Sequence, residues 1–127
     1  MFYARQVKQN PSWVVADFGC GDARLRKSVL NTTVHSFDLV SRDPCVTAAN
    51  LADVPLASAS CDCCVICLAL MGVDYPQFLM EASRVLKIGG KLLLAEVSSR
   101  IDKVADFVGI LQFIGFKVDI KKEVRDV

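Results

Sequence analysis

The residues best suited to chemistry lie in one short run, Val14-Val15-Ala16-Asp17-Phe18-Gly19-Cys20-Gly21-Asp22-Ala23-Arg24-Leu25. An apolar stretch ends in a carboxylate, passes through two glycines and becomes amphipathic. Glycine lets the backbone bend sharply and approach a ligand with no Cβ in the way, and free N–H groups at a helix start favour polar or anionic ligand atoms. Asp38 closes the next apolar run, 19 residues after Gly19. That is the spacing at which a second-strand carboxylate grips ribose hydroxyls. A lone Gly-x-Gly says little, but this one follows a strand, opens a helix and has its carboxylate in place.

Two details narrow the cofactor. A dinucleotide loop wants a third small residue at position 24 so that the helix packs closely, and Arg24 stands there instead. Asp17 sits where it would oppose a pyrophosphate but could orient the ammonium end of a methionine-like ligand. Both features disfavour nicotinamide dinucleotides and point to S-adenosylmethionine.

Other reactive residue types read as structural. Cys61, Cys63, Cys64 and Cys67 crowd into seven positions, but a continuous strand sends alternate side chains to opposite faces, whereas thiolate metal sites gather ligands at turns. They are read as buried small hydrophobes, with no metal site expected. Pro44-Cys45 follows the second strand, far from where a cysteine nucleophile would be useful. His35, the single histidine, lies inside a strand pattern and is read as a structural imidazole.

Apolar runs of strand length, at 13–18, 34–39, 46–49, 63–70, 91–97 and 116–120, position these residues. Several are apolar throughout, as in strands of a parallel sheet covered on both faces. Helical patterns fall between them. The first spans 23–30. The second starts at Asp74-Tyr75-Pro76-Gln77, runs through Phe78, Ala82, Val85 and Leu86, and stops at Gly89-Gly90. The third starts at Ser99-Arg100-Ile101-Asp102, carries Ile101, Val104, Val108 and Leu111 on one stripe, and closes at Gly115. The order predicts an α/β, doubly wound, Rossmann-like sheet in a single domain spanning 1–127. The links 39–45 and 51–60 are short for parallel crossovers, so their helices must be reduced or missing.

Composition bounds the function. With 53% hydrophobic and 23% charged residues the chain has a core to bury, which excludes disorder. No apolar run is long enough for a membrane span, and the first residues lack a signal-peptide pattern. Six cysteines in 127 residues fall short of a disulfide scaffold and read as free thiols in a reducing, intracellular setting. A net charge of +1 gives no basic excess, so affinity for nucleic acid would have to come from elsewhere.

Asp17-Phe18-Gly19-Cys20-Gly21-Asp22 resembles motif I of class I S-adenosylmethionine-dependent methyltransferases. The runs Ser36-Phe37-Asp38-Leu39, Val54-Pro55-Leu56, Cys67-Leu68-Ala69-Leu70-Met71-Gly72, Arg84-Val85-Leu86-Lys87 and Ala95-Glu96-Val97-Ser98-Ser99-Arg100 together resemble the nucleomethylin (ribosomal RNA-processing protein eight) family. The resemblance implies cofactor contacts at Gly19, Asp38, Asn50, Leu51 and Cys67, beside the Asp17 and Gly21 that the loop itself suggests. Asn50-Leu51 stands where the family pattern resembles Asp-Met, and an amide oxygen can still accept from an exocyclic amine. Ile88 replaces the usual proline before Gly89-Gly90.

The resemblance further implies methyl transfer from S-adenosyl-L-methionine, leaving S-adenosyl-L-homocysteine, to adenine N1 of large-subunit ribosomal RNA in the nucleolus. No Asn-Pro-Pro-Tyr-like motif for exocyclic amines follows the fourth strand. Met71, Gly72, Glu96, Ser98 and Arg100 are candidates for the acceptor side, with no catalytic residue assigned. A second reading is a non-catalytic S-adenosylmethionine-binding module in chromatin or ribosome assembly. The family has a longer segment before motif I, of which only Gln6-Val7-Lys8 is suggested here, and a final strand that 121–127 is too short and polar to supply. The chain therefore reads as shortened at both ends.

Overall fold

Five strands, β1 (Val14–Phe18), β2 (Thr33–Asp38), β3 (Val46–Ala48), β4 (Cys61–Cys67) and β5 (Leu86–Ala95), form one sheet in the order β3-β2-β1-β4-β5, and every pair is parallel. The computed structural model describes residues 2–67, 75–95 and 104–118. Helices α1 (Phe2–Lys8), α2 (Arg24–Ser28), α3 (Tyr75–Val85) and α4 (Val104–Ile114) complete the described elements. Helix α2 lies between β1 and β2 and helix α3 between β4 and β5, whereas the links β2–β3 and β3–β4 carry no helix, as their lengths require.

The apolar runs are explained by burial on both faces. Ala16 and Phe18 of β1 with Cys64 and Ile66 of β4 enter the layer of Leu79, Ala82, Val85 and Leu111 from α3 and α4. Val15, Val34, Cys63 and Val65 enter the opposite layer, with Ala4 and Val7 of α1 and Leu25 of α2. Cys63 and Cys64 thus face opposite layers, as strand alternation demands. Cys61 shares the layer of Cys64 because the β4–β5 register shifts between Cys61 and Cys63.

Four expectations need correction. The second helix ends at Val85 instead of running to Gly89-Gly90. Ala59 and Ser60 N–H groups donate to the Arg84 and Val85 carbonyls, and Leu86 is drawn into register with Cys61, so 86–90 begin β5. The expected strand at 116–120 is absent over 116–118, while 119–120 lie outside the described residues. Gly115 and Phe116 close α4 by donating to Gln112 and Leu111 in a Schellman pattern, and Phe116 and Val118 pack on the core as side chains. The first helix occupies only Arg24–Ser28. Finally, Phe2–Lys8 is a helix that the sequence patterns did not predict, and Ala4 and Val7 bury its inner face. The capping run before α4 and the ends of the strand patterns at 68–70 and 96–97 lie outside the described residues.

Candidate functional site

The carboxyl ends of β1 and β2 meet at the glycine loop. Gly19 (φ 76°), Gly21 (φ 59°) and Ala23 (φ 63°) take left-handed backbone, with ordinary residues between them. For Ala23, at the start of α2, this conformation costs about 1–2 kcal/mol, and its complete burial helps hold it there. The Gly19 and Cys20 N–H groups both donate to the Phe37 carbonyl, at 2.9 and 3.1 Å, and Gly21 N–H donates to Asp38 Oδ2 at 2.9 Å. Ala23 N–H donates to the Cys20 carbonyl. The loop therefore spends these donors on itself and on β2, contrary to the expectation of free N–H groups for an anion. A Cβ built on Gly21 meets no atom within 4 Å, so this side of the loop faces open space.

Two carboxylates stand at the loop. Asp38 is half-buried and its Oδ1 accepts from the Leu39 N–H at 2.8 Å, so both of its oxygens anchor the turn while keeping lone pairs for a ligand. Asp17 is buried, and burial together with Asp38 pushes its carboxyl up to about 7. The same burial, with Asp17 and Asp38 close by, pushes the Cys20 thiol up to about 12, which removes it as a thiolate nucleophile at neutral pH. Ser36, directly across from Asp17, is buried with its Oγ unpartnered among the described residues. Sequence reading passed over Ser36, although its alternation with Val34 and Asp38 places it on the Asp17 side of the sheet. Ser36 also borders a cleft of about 320 Å³, lined with it by Arg26, His35, Cys45 and Thr47 among others.

The remaining candidates divide. Ala49 N–H donates to the Asp38 carbonyl, which brings Asn50 directly after the site, where Asn50 Oδ1 accepts from Ala52 N–H at 3.0 Å and the side chain is exposed. Leu51 is buried in the core with Phe18 and Phe37, so its side chain supports the loop from below. Cys67 ends β4, one step beyond the Phe18–Ile66 pair and so level with Gly19; its side chain lies outside the description. Met71, Gly72, Glu96, Ser98 and Arg100 also lie outside the described residues. Leu39 and Val40 add exposed apolar surface beside Asp38.

A separate polar network fixes the segment that follows Asn50. Glu81 of α3 is buried and accepts from Val54 N–H at 2.6 Å and from Arg84. Arg84 donates to the carbonyls of Val54 and Leu56, at 3.1 and 2.9 Å. Val54-Pro55-Leu56 and Arg84-Val85-Leu86, distant in sequence, are thus one clamp.

A parallel sheet in this order, with a glycine loop after its central strand and a carboxylate ending the next, defines the Rossmann-like class I methyltransferase fold. A S-adenosylmethionine-dependent methyltransferase structure from Aquifex aeolicus superposes with a TM-score of 0.67 over 92% of this chain and 81% of that one, at 17% identity. A family model described as a hypothetical methyltransferase matches residues 2–127, and the chain belongs to that family. Ribosomal RNA-processing protein 8 of Mus musculus is 53% identical over 119 residues, covering 93% of this chain and 26% of that protein. The 25S rRNA (adenine(645)-N(1))-methyltransferase of Schizosaccharomyces pombe is 43% identical over 122 residues, covering 91% of this chain and 38% of its own length. The chain spans well under half the length of both relatives.

Proposed function

We propose that this chain is the S-adenosylmethionine-binding part of a methyltransferase acting on adenine N1 of large-subunit ribosomal RNA, in ribosomal RNA processing in the nucleolus. The observation that carries this reading is 43% identity, across nearly the whole chain, to a protein named for that reaction. The residues fit the cofactor on structural grounds: open space at Gly21, a carboxylate with spare lone pairs at Asp38 and a buried carboxylate at Asp17. Asp38 would accept from ribose hydroxyls and Asp17 would face the ammonium group. Gly19 and Gly21 leave room for the ligand, Leu39 and Val40 cover the adenine ring, Asn50 meets its exocyclic amine, the backbone at Leu51 lies beside the adenine while its side chain supports the loop, and Cys67 completes the rim. A loop whose donors are already engaged suits a zwitterion better than a pyrophosphate.

The bound cofactor supplies an electrophilic sulfonium methyl. Adenine N1 offers an in-plane lone pair, so the chain has chiefly to align the acceptor and exclude water, without a strong general base. Calorimetric titration of S-adenosylmethionine and S-adenosylhomocysteine into the wild-type chain and Gly19→Val tests the cofactor site, with binding expected only in the former. Mass spectrometry of large-subunit RNA, incubated with the chain, for N1-methyladenosine tests the acceptor. A wild-type chain that binds neither ligand sinks the reading.

A further inference from the structure

Asp17 and Ser36 are direct partners in the β1–β2 register, as Val15 and Val34 are two residues earlier. Val15 and Val34 enter the layer under α1 and α2, so Asp17 and Ser36 enter it too, with Val65 of β4 in register on the other side of Asp17. Ser36 is 3% exposed and Asp17 6%. A buried hydroxyl with no partner costs about 1–3 kcal/mol, and no other buried side-chain oxygen or nitrogen among the described residues is left so. Neighbouring strands lie about 4.8 Å apart, so register partners on one face are side by side, and a serine χ1 moves between three staggered positions. Rotation about χ1 is the freedom by which Oγ can turn toward the carboxylate.

The groups around Asp17 offer it little else. Asp38 follows Ser36 on the same face of β2 and repels a second negative charge. Cys20 in the loop and Cys63 on β4 have thiols pushed up to about 12, so they stay neutral at physiological pH, as does Cys64 on the other face of β4. Arg24, Arg26 and Lys27 of α2 and Lys8 of α1 are solvent-exposed.

We propose that Ser36 is the positioning residue for Asp17: its hydroxyl donates to the carboxylate and holds it ready for the ammonium end of the cofactor. This rests on the cofactor reading above and adds a residue to it. The hydrogen bond stabilises the ionised form, so its loss favours protonated Asp17.

The test begins without cofactor, by carbon-13 NMR titration of the Asp17 carboxyl in wild type, Ser36→Ala and Ser36→Thr. The midpoint should rise by about one unit in Ser36→Ala and return near wild type in Ser36→Thr. Calorimetry should then show S-adenosylmethionine binding about fivefold weaker in Ser36→Ala at pH 7, narrowing to about twofold at pH 8. A Ser36→Ala midpoint equal to wild type, with urea unfolding showing a folded protein, overturns the proposal. A midpoint that moves as expected in a chain that binds no cofactor upholds the Ser36–Asp17 coupling and overturns the cofactor reading instead.

Discussion

Asp17 at the end of β1 and Glu81 in the middle of α3 are carboxylates buried to a similar degree, with 6% and 5% of their surface exposed. Burial and Asp38 push Asp17 up to about 7, whereas Arg84 and the Val54 N–H hold Glu81 below the ordinary carboxylate range. Glu81 has partners on both oxygens and joins α3 to the 54–58 segment. Asp17 has Ser36 across the ladder and open space beyond the glycine loop. A buried charge with all its partners is a structural joint; one without them is costly alone and gains from a cationic ligand. The contrast separates the half of the molecule that holds shape from the half that awaits a ligand.

The strongest challenge to this contrast is a pH series. Asp17 binds a proton in the folded state more tightly than in the unfolded one, so its contribution to stability is full below about pH 4 and is lost as pH rises through 7. At about 1.4 kcal/mol per unit, the decline is of the order of 4 kcal/mol. Asp17→Asn should abolish it in urea melts of the cofactor-free chain. Glu81 runs the other way: its contribution is present above its unfolded value and is lost as pH falls through the lowered folded one. Glu81→Gln should flatten only that acid limb, and a variant that altered the wrong limb would dissolve the distinction.

Removing the partner gives the next largest effect. Arg84→Ala leaves Glu81 buried and the Val54 and Leu56 carbonyls without their donor, for an expected loss of about 3 kcal/mol in urea unfolding. A loss below about 1 kcal/mol, the range of a surface pair, would show that the clamp is not a joint. The smallest effect belongs to the loop. Gly21→Ala puts a Cβ into open space on left-handed backbone, so stability should fall by about 1 kcal/mol from strain alone. Cofactor affinity should fall by more than that strain explains, as read by calorimetry.

Much of the site was legible from local rules. The Asp17 to Asp22 loop, Asp38 at the end of the second strand and the missing crossover helices all follow from residue type and spacing, and the structure has them where expected. The α3–β5 boundary was not legible. A helical pattern continues through Leu86, but the Ala59 and Ser60 N–H groups, far away in sequence, claim the last carbonyls and turn the chain into the sheet. The short helix α1 and the absent strand at 116–118 escaped for the same reason: packing, not periodicity, selected their conformation. The resemblance places Leu51 beside the adenine, and only the structure shows that its side chain packs with Phe18 and Phe37.

The sequence by itself determined the parallel α/β class, because near-continuous apolar strands separated by amphipathic stretches have few other ways to hide both faces. It also determined the glycine turn and the carboxylate that ends the second strand, since both depend on spacing along a strand and its loop. Only the tertiary structure decided which donors the loop keeps for itself, which buried carboxylate finds an arginine and which faces a serine. Those outcomes depend on contacts between distant segments, and strand register sets them.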